Sequence, residues 1–147
     1  MPAISGRFDW RTGLTWNIGF VAGGTPVTQI KNGTLHVCPA LVDTGASTTC
    51  ISSEVAKALS LAPAGKTGLQ TAGGAVDVNV YDVHVAFFLG GKTDEAGNKV
   101  GQLEFFSDIQ APEFDPGGNH YKAIIGRDIL KRGVLILSFD GHYSFSY

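Results

Sequence analysis

Short apolar runs separated by glycine, asparagine and aspartate dominate this chain, a pattern typical of β-strands joined by tight turns. The clearest strand is predicted over residues 76–87, where apolar and polar side chains alternate almost strictly, so that one face is expected to be buried. Further strands are predicted over residues 8–10, 14–21, 25–30, 35–42, 100–106, 134–139 and 142–147. Strands and helices do not alternate regularly, which favours an all-β chain with closed or strongly curled sheets.

Turn-forming residues between these runs predict which strands are neighbours. Residues 11–13 are expected to join the first two strands, and the Asn32-Gly33 dipeptide, a strong hairpin signal, the next two. Asp140-Gly141 predicts a C-terminal hairpin in the same way. Residues 90–98 are rich in turn formers, and residues 107–120, with two prolines and two glycines, are predicted to form a surface loop.

Two short helices interrupt the predicted strands. Ser52 or Ser53 is expected to cap the first helix, which should end near Pro63. Its apolar stripe is formed by Val55, Ala56, Leu59 and Leu61. The second helix is predicted over residues 127–132, with Gly133 as its C-terminal cap.

Composition and charge place the chain among globular proteins and exclude several classes of function. Hydrophobic residues make up 44% of the 147 residues and charged residues 16%, which suits one folded domain rather than a disordered chain. The net charge of −2 and the scattered basic residues give no nucleic-acid footprint. No apolar run is long enough for a membrane segment and the N-terminus lacks a signal-peptide pattern, so a cytoplasmic location is expected.

The cysteines and histidines give little sign of chemistry. Cys38 and Cys50 are expected to be reduced thiols that pack as small hydrophobic residues, with a redox switch as the alternative. The four histidines are dispersed and lack the spacing of metal ligands, so no metal site is predicted.

The strongest candidate for chemistry is the Asp-Thr-Gly sequence within residues 40–47, ALVDTGAS. An Asp-Thr-Gly after an apolar strand is how aspartic proteases present their catalytic carboxylate. Gly45 permits a close backbone approach after Asp43, and the Thr44 hydroxyl is able to hydrogen-bond to a partner loop. The alternative interpretation is that Asp43 is an ordinary turn residue whose side chain caps its own backbone.

Two further segments follow the Asp43 loop in an order that makes chemical sense. Residues 69–75, with Gly73 and Gly74 at the tip, predict a hairpin able to close over a bound peptide. Residues 123–130, sequence AIIGRDIL, predict a loop and short helix that pack beneath the Asp43 strand.

Together these motifs resemble the retropepsin-type aspartic proteases, the single-domain homodimeric class found in retroviruses and in some bacterial and eukaryotic proteins. The sequence LVDTGAS is similar to the active-site motif of that class, and IIGRDIL to its second signature. The ending of the chain is more similar to the bacterial branch than to the viral one. Ser47 stands where viral enzymes often carry a second Asp, so the resemblance gives no support for a viral-type ion pair between subunits through Arg127.

The resemblance implies a retropepsin-like closed barrel over residues 1–147, with an N-terminal extension at about residues 1–24 and a flap at about residues 66–80. It implies an aspartic endopeptidase that is a homodimer and acts on peptides or proteins without metal or cofactor. The expected catalytic residues are Asp43, Thr44 and Gly45, and the expected substrate-binding residues are Leu41, Ala46, Ser47, Ala72, Gly73, Gly74, Ile124 and Ile125. For the two isoleucines, plain core packing is an equal alternative.

In the implied mechanism, the Asp43 carboxylates of two chains activate one water molecule between them. The viral dimer interleaves its chain termini in one sheet, and residues 142–147 are a candidate for such a strand. Two alternatives remain open from the sequence. The first is a catalytically silent module of the same fold that binds peptides or mediates dimerisation, and the second is a glycine-rich β-domain with a fortuitous Asp-Thr-Gly.

Overall fold

The computed structural model describes residues 2–30, 32–93, 95–97 and 99–147, and these are mostly β. Their strands are β1 (Ala3–Arg7), β2 (Thr15–Ala22), β3 (His36–Val42), β4 (Cys50–Ser52), β5 (Gly65–Thr71), β6 (Gly74–Thr93), β7 (Lys99–Phe114), β8 (Ala123–Ile125), β9 (Val134–Leu137) and β10 (His142–Ser146). The helices are α1 (Ser53–Ala58) and α2 (Arg127–Leu130). Asp94 and Asn98, part of the predicted turn-rich segment, lie outside the described residues.

Six of the strands close into a barrel in the order β2-β3-β8-β4-β7-β6, and pairing between β6 and β2 completes the ring. The strand β5 pairs with β6 at the outside of this ring, as the other half of a long hairpin. Closure leaves the six barrel strands without free edges. The prediction of an all-β closed barrel with two short helices is confirmed.

Aromatic side chains fill one end of the barrel. Phe20, Phe87 and Phe145 are almost fully buried, and the Trp16 ring lies 5.5 Å from that of Phe87 and 5.3 Å from that of Phe145. Because Phe145 belongs to β10, these contacts fix the C-terminal strand against the barrel. Aromatic pairs at such distances add to the free energy gained from burial alone.

The strands β1, β10 and β9 form a second, three-stranded antiparallel sheet in that order. The C-terminal hairpin is therefore present as predicted. The predicted pairing of residues 8–10 with residues 14–21 is wrong, because the first strand pairs with β10 instead. Residues 11–13 form a tight turn whose only ladder contact is the bridge between Asp9 and Gly13.

The predicted strand over residues 25–30 is also wrong. The segment contains a short 3₁₀ turn, Val27–Gln29, and a second one follows at Asn32–Thr34 in place of the Asn-Gly hairpin. No residue of Val27–Gln29 is buried, so this segment has no apolar face to place in a sheet. The neighbours of β3 are the preceding strand β2 and the strand β8, which lies much further along the chain.

The predicted surface loop over residues 107–120 is shorter than expected, because β7 continues to Phe114. The strand β7 pairs with β6 as far as Pro112 and with β4 at Glu113 and Phe114. Residues 90–93 likewise belong to β6 rather than to a turn. Strand pairing across the closed barrel outweighs the local preference of proline and glycine for loops.

Both predicted helices are present, and both are short. The Ser52 hydroxyl caps α1 by accepting a hydrogen bond from Val55 N at 3.4 Å. The second helix, α2, ends at Leu130, two residues earlier than predicted. A side chain at Gly133 would collide with the carbonyl oxygen of Ser146, so glycine is required there by the close approach of β10.

Candidate active site

Asp43 is the first residue after β3, at the point where two parallel strands end side by side. Val42 of β3 is in register with Ile125 of β8. The Asp43 amide continues this pairing by donating to the Ile125 carbonyl at 3.0 Å. The Asp43 loop and the loop at Gly126 therefore leave the barrel at the same edge.

A tight turn holds the Asp43 carboxylate in a fixed orientation. The Gly45 amide donates to Asp43 Oδ1 at 2.8 Å, and the Ala46 amide donates to the Asp43 carbonyl at 3.2 Å. The carboxylate is half-buried, and among the described residues Oδ2 accepts no hydrogen bond. One oxygen is thus fixed by the loop, whereas the other is free to bind a proton, a water molecule or a second carboxyl group.

Arg127 at the start of α2 links the Asp43 loop to the second signature, residues 124–130, through hydrogen bonds. Its Nη1 donates to the carbonyls of Thr44 and Gly45, at 2.9 and 3.2 Å. Its backbone amide donates to the Ala46 carbonyl at 2.9 Å. Arg127 therefore acts within its own chain, where it fixes the backbone that carries the Asp-Thr-Gly sequence.

Thr49 and Asp128 form a second link between the two loops. The Asp128 carboxylate accepts from the Thr49 hydroxyl at 2.8 Å and from the Thr49 amide at 2.9 Å. The Thr49 oxygen accepts from the Gly126 amide at 3.2 Å. The sequence analysis did not select Thr49, because nothing in a lone threonine shows a partner 79 residues away.

A cleft of roughly 1080 Å³ extends from Asp43 to the β5–β6 hairpin. The hairpin supplies one wall through Leu69, Gln70, Thr71, Ala72, Val76 and Val78. Phe114 and Tyr121, whose rings stack at 6.4 Å, contribute to another part of the lining. Glu113 and Asp115 add carboxylates, while no lysine or arginine is among the lining residues.

The hairpin that lines the cleft turns at Ala72 and Gly73, since Thr71 and Gly74 are paired. The Thr71 hydroxyl donates to the Gly74 carbonyl at 2.8 Å and accepts from the Gly73 amide at 3.2 Å. Gly74 has a φ of +114°, a conformation that side chains other than glycine rarely adopt. The glycines therefore make the turn at the tip.

The comparisons with known proteins agree with this geometry. Residues 26–97 match the model of a family described as "Aspartyl protease". The matched range includes the Asp43 loop and the tip of the hairpin. Among solved structures, the chain is similar to a retropepsin-like aspartic protease from Rickettsia conorii. The identity is 15% and the TM-score 0.54, over 99% of this chain and 90% of that chain. A search of curated proteins gave no match.

The chain has a retropepsin-like fold. The family match supplies the aspartyl protease signature, and the structural match supplies the fold. The resemblance drawn from LVDTGAS and IIGRDIL is confirmed.

The structure places the predicted substrate-binding residues of this retropepsin-like chain in two groups. Ala46, Ala72 and Ile124 line the cleft. The other predicted residues, Leu41, Ser47, Gly73, Gly74 and Ile125, are not among the lining residues. Ile125 is fully buried in the core, so packing accounts for it, whereas its neighbour Ile124 faces the cleft. Adjacent strand residues point to opposite faces, which explains the difference.

The cysteines of the retropepsin-like barrel are both free and buried. Burial raises the pKa of the Cys38 thiol to about 12 and that of Cys50 to about 11. Thiols with such values are neutral at physiological pH and react slowly. This favours the interpretation as packed hydrophobic residues. Among the described residues, no group of three His, Cys, Asp or Glu is placed to hold a metal ion.

No helix in the described part of the retropepsin-like chain has both the length and the apolar character needed to cross a bilayer.

Proposed function

We propose that this protein is a homodimeric aspartic endopeptidase in which each chain supplies one Asp43 to a shared active site. The observation that carries the proposal is the Asp43 carboxylate at the cleft, whose Oδ1 is held by the Gly45 amide and whose Oδ2 accepts no hydrogen bond from the described residues. Aspartic peptidase chemistry requires two carboxyl groups, and the sequence contains one Asp-Thr-Gly. A second copy of the chain supplies the missing group.

The chemistry follows from two carboxyl groups at hydrogen-bonding distance. Two carboxylates about 3 Å apart do not both ionise easily, so the pair holds one proton between them. The ionised Asp43 takes a proton from a water molecule held between the two groups. The protonated Asp43 donates a hydrogen bond to the scissile carbonyl and later protonates the leaving amine. The titration belongs to the pair rather than to either residue.

The surrounding residues hold the loop in place for this chemistry. Arg127 binds the backbone carbonyls of Thr44 and Gly45. The Thr44 side chain takes no part in these bonds and is exposed. Among the described residues the Thr44 hydroxyl makes no hydrogen bond within the chain, so it is available to the loop of the other copy. Contacts of that kind set the distance between the two carboxyl groups.

The substrate is an extended peptide lying between Asp43 and the β5–β6 hairpin. A peptide in this position is able to hydrogen-bond through its backbone to the hairpin, as an added strand does. The hairpin also excludes water from the reacting groups. Because the lining contains Asp43, Glu113 and Asp115 but no cation, the cleft favours neutral or basic peptides over acidic ones.

The test compares the wild-type protein with Asp43→Asn on a denatured protein substrate and a peptide library at pH 4 to 6. Asp43→Asn keeps the shape of the side chain but removes the charge, and it is expected to lower cleavage by about 10²-fold or more. Asp82→Asn, at an exposed position on β6, is the matched control and should retain full activity. Undiminished cleavage by folded Asp43→Asn would exclude the proposal. Peptide binding by the wild-type dimer without cleavage would favour the catalytically silent module.

A further inference from the structure

The strand β9 is an edge strand that follows directly from the active-site helix. It pairs with β10 on one side, and no described strand pairs with its other side. The helix α2, whose Arg127 holds the Asp43 loop, leads through Gly133 into β9. The helix α2 therefore joins the free edge of β9 to the residue that holds the Asp43 loop.

The apolar side chains exposed at this edge are unusual for a free surface. Val134 and Ile136 are each 59% exposed, and Phe139, just after the strand, is 97% exposed. An exposed, apolar edge strand is a template for pairing with another chain, and monomeric proteins normally protect such edges with charges, proline or bulges. The residues Val134–Leu137 contain none of these.

Both chain ends are already paired within the protomer. The strand β10 lies between β1 and β9, so it has no free edge to offer to a partner. The expectation that residues 142–147 provide an interleaved strand of a dimer sheet is therefore not supported by this topology. The strand β1 is paired with β10 on one side from Ala3 to Arg7, and its other edge, with Ser5, Gly6 and Arg7, lacks the apolar run of β9. Exchange of termini would require these pairs to break.

The charges that flank β9 are complementary under a two-fold axis. The exposed residues Lys131 and Arg132 precede the strand, and the exposed Asp140 follows it. Antiparallel pairing of β9 with its own copy places the basic end of each strand beside the acidic end of the other. Opposite charges so placed stabilise a strand pair, whereas parallel pairing would bring like charges together. The edge is thus self-complementary in polarity and charge.

We propose that β9 pairs antiparallel with β9 of a second copy of this chain, so that the two three-stranded sheets form one continuous sheet of six strands. This inference rests on the proposed function, because it names the surface through which the two Asp43 residues are brought together. It differs from the viral arrangement in that neither terminus is exchanged. Val134, Ile136 and Phe139 of each copy are covered in the dimer.

The first test measures the dimer dissociation constant by sedimentation at several protein concentrations. Ile136→Lys places a charge in the paired edge and is expected to weaken the dimer by about tenfold or more, with a matching loss of activity at low concentration. The control is Val37→Lys, at a β3 residue that is 49% exposed, which should leave the constant unchanged. Circular dichroism verifies that both variants are folded. An unchanged constant for Ile136→Lys would overturn the proposal.

The second test uses single cysteines at positions 134–137, under mild oxidation. In an antiparallel pair on a two-fold axis, one strand position faces its own copy, so interchain disulfides should peak sharply at one of the central positions. Cys38 and Cys50 are buried and should not interfere, and Val37→Cys is the control. Equal cross-linking at all positions, or none, would contradict the pairing.

The two proposals fail in different ways. If cleavage depends on Asp43 but the dimer is insensitive to Ile136→Lys and to cysteine position, the β9 surface is wrong and the function stands. If β9 cross-links as expected but no substrate is cleaved, the interface stands and the endopeptidase proposal is wrong.

Discussion

The two oxygens of the Asp43 carboxylate lie in different surroundings. Oδ1 is bound by the Gly45 amide at 2.8 Å, while Oδ2 accepts no hydrogen bond from the described chain. A Cβ added at Gly45 would lie 3.0 Å from Oδ1, so a larger residue there would push the carboxylate out of its present position by a few tenths of an ångström. The geometry of this turn therefore accounts for Asp43 and Gly45 of the Asp-Thr-Gly sequence.

Thr49 is the residue on which the register of the two loops depends most. It is fully buried, donates to Asp128 and accepts from Gly126, so Thr49→Val leaves the Gly126 amide without its partner. We expect the variant to lose about 1–3 kcal/mol of unfolding free energy, because an unpaired buried donor is costly. Activity should fall as the Asp43 loop loosens. Urea denaturation measures the change.

Thr67→Val is the control for this substitution, since Thr67 lies on the exposed strand β5. It should change the unfolding free energy by less than about 0.5 kcal/mol. A Thr49→Val protein as stable as this control would show that the Thr49–Asp128 link is dispensable.

At the level of the element, Ser138, Asp140 and His142 form a pH-dependent cap at the turn of the C-terminal hairpin. Asp140 accepts from the Ser138 hydroxyl and contacts the His142 ring at 2.9 Å, and these hydrogen bonds, that of Ser138 foremost, lower its pKa from 3.8 to about 2. A lowered carboxyl pKa stabilises the fold above the unfolded value and loses this effect as the pH falls through the folded value. The cap is therefore intact between pH 4 and 6, where aspartic peptidases are assayed.

The cap predicts a pH-dependent difference between the wild-type protein and Asp140→Asn. The variant should be less stable than the wild type at pH 6, and the difference should shrink as the pH falls from about 4 to about 2. Thermal unfolding of both proteins across this range measures it. A difference that stayed constant down to pH 2 would mean that the Asp140 charge does not support the hairpin.

Local signals predicted the elements better than they predicted the neighbours of those elements. The Asp140-Gly141 hairpin and the Ser52 cap follow from adjacent residues, and both are present. The partner of β1 was missed because pairing of Ala3 with Ser146 depends on contacts across the whole chain. Pro112 favoured a loop, yet β7 continues through it because β6 pairs with it there.

In the candidate site, too, residues within local motifs were predictable and residues brought in by the fold were not. Asp43, Gly45 and the 127–130 helix carry recognisable motifs, whereas Thr49 and the cleft residues Phe114 and Tyr121 carry none. Their roles arise from three-dimensional contacts, which no short sequence pattern records. Ile124 and Ile125 look alike in sequence, and only the direction of β8 separates the cleft residue from the core residue.

At the scale of the whole molecule, the proposed mechanism gives each chain half of an active site, and β9 gives it an open apolar edge. The barrel is closed, and β1 near the start of the chain pairs with β10 near its end. One chain is incomplete as an aspartic peptidase, because a single carboxyl group has no partner with which to share a proton. In the proposed dimer, the association of two copies through β9 supplies the second carboxyl group and covers the apolar edge.

The central claim is that each active site needs Asp43 from two chains, and a subunit-mixing experiment tests it most directly. A fixed amount of wild-type protein is mixed with increasing Asp43→Asn protein, at concentrations where dimers form and exchange. If two Asp43 carboxylates form one site, mixed dimers are inactive, and cleavage should fall to about one half at equal amounts and about one tenth at a ninefold excess. Activity that stayed constant as the inactive subunit was added would contradict the account.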